Sequence, residues 1–313
     1  MRILQEAYEV RECHFKGVKD VPTLLNGVWW ADVTFSWFGA LHALYAVLFS
    51  KLLGKKSVVV SGGYDVARVP EIGYGLFASW WKKYCPLFVF RYADLILCVS
   101  EANRWETLCN AKADLGKVTL VYHGFDDATF RRMPGVGKKN IVLTIGAVER
   151  DNLSRKGLEL FVRSATFLPE KQFFLVGRWG DRAIDRLRRI AAPNVTFTGE
   201  LSQEEVVRIC SRAKVYVQAS MHEAFSCSLA EAMLCECVPV VSRLGALPEV
   251  VGDCGLYIDN LEPKELAEKI EEASHSDMSK RARERIITLF PIEKRRAELF
   301  QAIDQLTKGV VHH

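Results

Sequence analysis

Apolar runs of strand length alternate along this chain with longer segments whose apolar positions repeat at helical spacing. In the second half the alternation is clean. Strands are expected at 141–148, 172–177, 195–199, 215–220 and 238–242, with helices between them at 157–168, 181–192, 202–213 and 226–236. Alternating β and α at this spacing predicts a parallel sheet with helices on both faces. In the first half, strands are expected at 31–36, 57–61, 95–100 and 118–122, and helices at 41–53, 75–92 and 101–113. The last of these opens on Ser100 as N-cap. Residues 124–140, with Pro134, Gly135 and Gly137, break the pattern and read as a linker. From Glu262 onward the chain reads as charged helix. The expected fold class is α/β: two Rossmann-like, doubly wound parallel-sheet domains facing a cleft. Their spans are 1–135 and 136–290, and a C-terminal helix at 291–313 packs back on the first. A ligand is expected at the carboxyl ends of the strands.

Composition narrows this picture only slightly. The 313 residues are 49% hydrophobic and 26% charged, as in folded globular proteins. A net charge of +4 calls for no nucleic-acid partner. Nine cysteines, none arranged as C-x-x-C, read as reduced core thiols of a cytoplasmic protein. The N-terminus lacks a charged-then-apolar leader, and His312-His313 reads as the end of a purification tag. Residues 33–50 carry no Asp, Glu, Lys or Arg, but Ser36, Gly39 and His42 divide them into a buried strand and helix. Lys51, Lys55 and Lys56 follow, as they would beside a bilayer surface. Six of the seven tryptophans (Trp29, Trp30, Trp37, Trp80, Trp81 and Trp105) fall in the first half. Adjacent pairs cannot both point inward from a strand. Exposed members would stack on a ligand or sit at a lipid interface, giving peripheral contact through the N-terminal domain on the cytoplasmic membrane face.

The densest chemical signal is Glu223-Ala224-Phe225-Ser226-Cys227-Ser228-Leu-Ala-Glu231. A strand precedes it, a helix begins near Ser226 and Ser228, and another strand follows. Strand, polar turn and helix present backbone N–H groups to an anion. Glu231 falls roughly 7 Å along the helix axis from Ser226 at 1.5 Å per residue. Acids do not bind phosphate, but they accept hydrogen bonds from hydroxyls flanking it, and a nucleotide sugar carries hydroxyls on both sides of its diphosphate.

With these residues in order, the second half resembles a retaining glycosyltransferase of family 4, with the GT-B fold. Ile145-Gly146 ends a first strand and Arg155-Lys156-Gly157 opens the next helix. Phe174-Leu-Val-Gly177-Arg178 ends a second strand, and Val195-Thr-Phe-Thr-Gly-Glu200-Leu201 a third. The acid pair, Pro239-Val-Val-Ser242 and Gly245-Ala-Leu-Pro-Glu249 follow. The segments Ala93-Asp-Leu-Ile-Leu-Cys-Val-Ser100-Glu101 and His123-Gly-Phe-Asp126 also resemble family signatures.

The resemblance implies transfer of a sugar from a nucleotide donor, UDP-linked by preference, to a glycan, lipid or small-molecule acceptor. Glu223 and Lys156 carry the catalytic roles: Glu223 positions the sugar, and Lys156 meets the diphosphate. Glu231 takes the ribose, backbone near Glu200 and Leu201 reads the base, and the turn from Ala224 to Ser228 holds phosphate. Gly177 and Arg178 complete the donor set.

The chain departs from its relatives in four places. Ser226 stands where a glycine commonly follows the Phe. Gly146-Ala147 lacks the usual Arg, for which Arg150 and Arg155 are the candidate replacements. No glycine-rich loop occurs in residues 1–30, so the N-terminal domain reads as short. Where many relatives carry a His after the second strand, this chain has Gly62, Gly63, Tyr64 and Asp65 as acceptor-side candidates. No D-x-D motif or ligand-spaced His/Cys/carboxylate cluster occurs, so neither a catalytic metal nor another cofactor is expected. Two competing readings are a sugar-nucleotide epimerase on the same architecture, and a protein that binds nucleotide sugar without turnover as part of a larger complex.

Overall fold

The structure, a computed structural model, describes residues 2–308; His312-His313 and the last residues of the expected C-terminal helix lie outside it. The described chain forms two compact units, residues 2–124 with 293–308 and residues 125–292.

The first unit holds a four-stranded parallel sheet in the order β1-β2-β3-β4: Val33–Trp37, Lys56–Ser61, Leu95–Cys98 and Val118–Leu120. Its helices are α1 (Arg2–Gln5), α2 (Val21–Trp30), α3 (Leu41–Leu52), α4 (Tyr84–Tyr92) and α5 (Glu101–Cys109). Ala43, Val47, Val89 and Phe90 bury α3 and α4 against Val59 and Ile96 of the sheet. Ser100 caps α5 through Asn103 N, as its sequence predicts.

One element here was not foreseen and one expectation changes. Residues 21–30, including Trp29-Trp30, are helical, with Pro22 in the first turn. The helix expected at 75–92 survives only from Tyr84. Ser79 is extended, and Pro86 lacks the N–H that an earlier turn would need, so it is tolerated only in the first turn. Residues 79–83 are a turn that holds Trp80 and Trp81 outward.

The second unit carries β5 (Lys139–Ile145), β6 (Gln172–Val176), β7 (Val195–Gly199), β8 (Ala213–Gln218), β9 (Val238–Ser242) and β10 (Leu256–Ile258). All are parallel, in the order β10-β9-β8-β5-β6-β7. Its helices are α6 (Arg150–Arg155), α7 (Leu158–Ser164), α8 (Ala183–Ile190), α9 (Gln203–Arg212), α10 (Cys227–Leu234), α11 (Leu247–Val251), α12 (Pro263–His275) and α13 (Ser279–Leu289). The core joins α7, α8 and α12 to one sheet face through Leu158, Phe161, Leu187, Leu266 and Ile270, while α9, α10 and α13 pack on the strands' other side.

Of the stretch read as linker, 124–140, residues 125–138 are stitched into this unit. Arg132 meets Glu236 at 2.8 Å, Met133 N donates to Ser211 Oγ, and Lys138 Nζ donates to the carbonyls of Cys210, Ala213 and Cys235. The last helix, α14 (Ile292–Thr307), belongs to the first unit from Glu293 on. There Tyr8 donates to Asp304 (2.9 Å) and Arg296 pairs with Glu6 (2.7 Å). Among the described residues no helix is long and apolar enough to cross a membrane.

Candidate functional site

The chain of the second unit runs from β5 outward through β6 and β7, then returns to lay β8 against the other edge of β5. Between β5 and β8 the winding reverses, and the crevice beyond the carboxyl ends of two such strands is where open α/β sheets take ligands. The segment after β5 leads through α6 to Lys156, and the turn after β8 carries Glu223. Both candidate catalytic residues therefore arise at one switch point.

Strand β8 divides its side chains by parity. Val215, Val217 and Ala219 enter the hydrophobic core. Tyr216, Gln218 and Ser220 are fully buried on the other side and form a polar chain. Tyr216 OH lies 2.9 Å from Ser228 Oγ and 3.0 Å from Gln218 Oε1, and Gln218 Nε2 donates to Ser220 Oγ at 2.6 Å. The chain ends on Glu223 Oε1, which accepts from Ser220 Oγ at 3.0 Å, Gln218 Nε2 at 3.2 Å and Lys156 Nζ at 3.3 Å. The Arg155 guanidinium stands 3.7 Å from the same oxygen. Glu223 is thus a buried carboxylate held by two cations and two neutral donors. Removing one partner of such a network costs more than the whole network contributes. Tyr216, Gln218 and Ser220 were missed at the sequence level. Their signal is three polar-capable residues at alternate positions of an otherwise apolar strand.

Backbone contacts fix this turn from two sides. Gly157 has φ +65°, and a Cβ there would stand 2.2 Å from the carbonyl oxygen of Ala219. Gly245, at φ +59°, would bring one to 2.5 Å from the carbonyl oxygen of Glu223. Only glycine meets both demands. Ala246 N donates to Glu223 O at 2.9 Å, and Met221 N to Arg155 O at 2.7 Å. The Arg155-Lys156-Gly157 and Gly245-Ala246 motifs therefore grip opposite ends of 219–223.

Helix α10 starts beside this turn. Ser100 and Ser202 cap α5 and α9 with their hydroxyls, whereas Ser226 gives α10 no side-chain cap. Ser226 sits at φ 78°, the conformation the relatives' glycine would supply, and its buried Oγ makes no hydrogen bond among the described residues. Left-handed backbone costs a residue with a side chain roughly 1–2 kcal/mol. Ser226→Gly is therefore expected to stabilise the protein by about 0.5–1 kcal/mol after the entropy of a freer unfolded chain is counted. A higher urea midpoint checks this, and a lower one overturns it. Glu231, in the second turn of α10, is half-buried, and burial alone pushes its carboxyl up to about 7.

The remaining candidates are more dispersed. Gly177 lies beside Gly146, whose N–H bonds Val176 O at 2.8 Å. Arg178 is exposed and committed to Glu149 (2.6 Å). Arg150 is exposed and uses its backbone N–H on Asp181, so among the cations Arg155 and Lys156 are the pair drawn to Glu223. Glu200 is exposed and Leu201 half-buried just after β7. Ala224 is half-buried, Phe225 buried against Phe125 and Phe290, and Cys227 exposed at the first helical position.

In the first unit, Asp65 turns inward. Its carboxylate accepts from the backbone N–H of Gly39 (2.7 Å), Gly63 (2.9 Å) and Gly62 (3.1 Å), tying the turn after β1 to the turn after β2. Burial pushes it up to about 6 although these amides pull the other way. Tyr64 is exposed, edge-on to Tyr74. His123 faces Trp37; burial, then nearby Arg295, pushes its imidazole down to about 3.

Comparison with known proteins agrees with this geometry. Residues 139–276, from the start of β5 to the end of α12, match the family described as glycosyl transferases group 1. The chain is 26% identical over 175 residues to the gpi3 subunit of phosphatidylinositol N-acetylglucosaminyltransferase from Schizosaccharomyces pombe, covering 53% of this chain and 38% of that protein. It is 26% identical over 206 residues to D-inositol 3-phosphate glycosyltransferase of Mycolicibacterium gilvum, covering 60% and 46%. The chain thus spans less than half the length of these relatives. Among solved structures, it resembles Anabaena HepE in complex with UDP and glucose (TM-score 0.79, 17% identity, 97% of this chain and 88% of that one). It also resembles sucrose-phosphate synthase from Thermosynechococcus elongatus (TM-score 0.76, 20% identity, 97% and 81%). Residues 139–276 match the group 1 glycosyltransferase family, and the two-sheet chain that carries them has the GT-B fold.

Proposed function

We propose that this chain transfers a hexosyl group from a UDP-linked donor to an acceptor hydroxyl, with retention at the anomeric carbon and without a catalytic metal. The observation that carries the reading is the junction at the β5/β8 switch point: a buried Glu223 gripped by Lys156 and Arg155, beside a helix start that its own serine leaves uncapped. Cations and first-turn N–H groups converge where a diphosphate would lie. The carboxylate stands where hydroxyls would flank it.

In this reading Lys156 and Arg155 stabilise the charge that develops on the departing phosphate. Arg155 replaces the cation that relatives carry after the first strand, Glu223 orients the sugar, and Glu231 accepts from the ribose. Backbone at Glu200 and Leu201 meets the base. The acceptor oxygen bonds to the anomeric carbon as the carbon–phosphate oxygen bond breaks, and the departing phosphate oxygen takes the acceptor's proton. On the acceptor side Asp65 shapes the turn and Tyr64 offers the exposed contact. The two inositol-based acceptors in the relatives' names make an inositol phosphate the first acceptor to test.

Calorimetry with UDP tests the donor site. Lys156→Ala should weaken UDP binding roughly 10- to 100-fold, as loss of a charge-assisted contact does; unchanged affinity would overturn its role. Glu231 supplies a pH test. Its folded value of about 7 exceeds the ordinary 4.5, so between these values the folded chain holds a proton that the unfolded chain has released. Stability should therefore fall as pH rises through that window, by up to roughly 3 kcal/mol. Ribose hydroxyls donate to the ionised form, so UDP affinity should rise up to about tenfold from pH 6 to pH 8. Glu231→Gln should flatten both curves.

A further inference from the structure

The first unit concentrates exposed rings in one stretch of chain. Trp80 is 77% exposed, Trp81 58%, Tyr84 62% and Tyr92 43%. Residues 72–93 contain no Asp or Glu, and their three cations are Lys82, Lys83 and Arg91. Each stands over a neighbouring ring: Lys82 Nζ lies 5.6 Å from the Trp81 centroid, Lys83 Nζ 5.6 Å from that of Tyr84, and Arg91 Cζ 5.9 Å from that of Tyr92. None of the three has a carboxylate partner among the described residues, whereas Lys51, at the end of α3, is held by Asp94 at 2.6 Å.

The fold explains why these rings face outward. Pro86, Val89 and Phe90 put one stripe of α4 into the core with Ala43 and Val47. Tyr84, Phe88 and Tyr92, at intervals of four, fall on another stripe, with Phe88 and Tyr92 centroids 4.7 Å apart. The turn at 79–83 prolongs that stripe with two tryptophans. A ring with an unpaired cation over it is amphipathic. At a bilayer surface the ring settles at the headgroup level while the cation reaches lipid phosphate. A neutral sugar has no use for the cations, and the acid-free run of 22 residues points to a continuous anionic surface.

We propose that residues Trp80–Tyr84, with Arg91 and Tyr92 of α4, form a docking surface for an anionic lipid bilayer. This is independent of the donor reading, since nothing in it involves residues of the second unit.

Vesicle co-sedimentation of the full chain tests it, comparing pure phosphatidylcholine with phosphatidylcholine containing one third phosphatidylglycerol. The parent chain should bind the anionic vesicles roughly tenfold or more tighter, with the difference shrinking as salt is raised. Lys82→Glu/Lys83→Glu and Trp80→Ala/Trp81→Ala should each lose most of that binding. Trp29→Ala, equally exposed at 70% but on α2, should keep it. Trp29, Trp80, Trp81 and Lys82 are exposed and Lys83 half-buried, and an unchanged thermal midpoint separates lost docking from lost folding. Equal binding to both vesicles, no binding to either, full binding by the charge-reversed variant, or loss confined to Trp29→Ala would overturn the proposal. Capture of an acidic protein by the parent chain with no vesicle binding would overturn it too.

Discussion

Glu223→Gln is expected to bind UDP at least as tightly as the parent chain while losing transfer by roughly 10²–10³-fold, the scale on which misplacing the reacting group or losing a transition-state contact acts. The sign follows from what Glu223 touches. Its Oε1 neutralises Lys156 at 3.3 Å and lies 3.7 Å from Arg155. An amide leaves both cations without their anion, so the local field becomes more attractive to a diphosphate. It also removes the negative acceptor proposed to orient the sugar hydroxyls. Gln keeps the side-chain length and one oxygen for Ser220 and Gln218, whereas Glu223→Ala would leave buried donors with nothing to bond. The amide variant should therefore lose only about 1–3 kcal/mol of stability, and the alanine variant more. UDP calorimetry beside a donor-consumption assay separates the roles. Turnover within threefold of the parent would remove Glu223 from catalysis. Loss of UDP binding and transfer together would make the carboxylate a structural brace for Lys156.

Much of this site was legible because its residues violate their surroundings. Two acids in a nine-residue stretch with no other charge stand out from an apolar background, and the strands on either side are largely apolar runs that cover positions 215–218 and 238–242 of the observed sheet. The supporting layer was not legible for the opposite reason. Tyr216 and Gln218 sit within a run that reads as strand, and parity acquires meaning only once α10 covers one side and the core the other. Asp65 shows a different limit. Gly-Gly-Tyr-Asp after a strand reads as an exposed polar turn, yet three backbone N–H groups converge to bury the carboxylate. Two of them come from its own turn, but Gly39 lies 26 residues away, a contact no local pattern reports. The lost first half of the helix at 75–92 is a contest between apolar periodicity and Pro86, which the proline wins.

Gly157→Ala should have the largest effect on the fold around the donor site. The backbone at 157 already lies at φ +65°, which alone costs an alanine roughly 1–2 kcal/mol. The new Cβ would also stand 2.2 Å from the carbonyl oxygen of Ala219. That neighbour is backbone at the end of β8, so no side-chain rotation relieves the contact; 156–158 and 219–221 must move apart. The Met221 N to Arg155 O bond at 2.7 Å resists the movement. A total loss of about 3 kcal/mol or more is expected, in the range reserved for backbone strain joined to overpacking. Lys156 is the adjacent residue, so the displacement should also carry its ammonium away from Glu223 and weaken UDP binding about tenfold or more, as misplacing a charge-assisted contact does. Gly54→Ala supplies the control. Gly54 has nearly the same φ, +67°, but nothing lies within 4 Å of the added Cβ. It should show the backbone penalty alone, with UDP affinity unchanged. Urea midpoints and UDP calorimetry on the two variants therefore divide conformational strain from the close approach to β8. If Gly157→Ala proves no more costly than Gly54→Ala, the grip of Gly157 on the Glu223 turn is not what holds Lys156 in place.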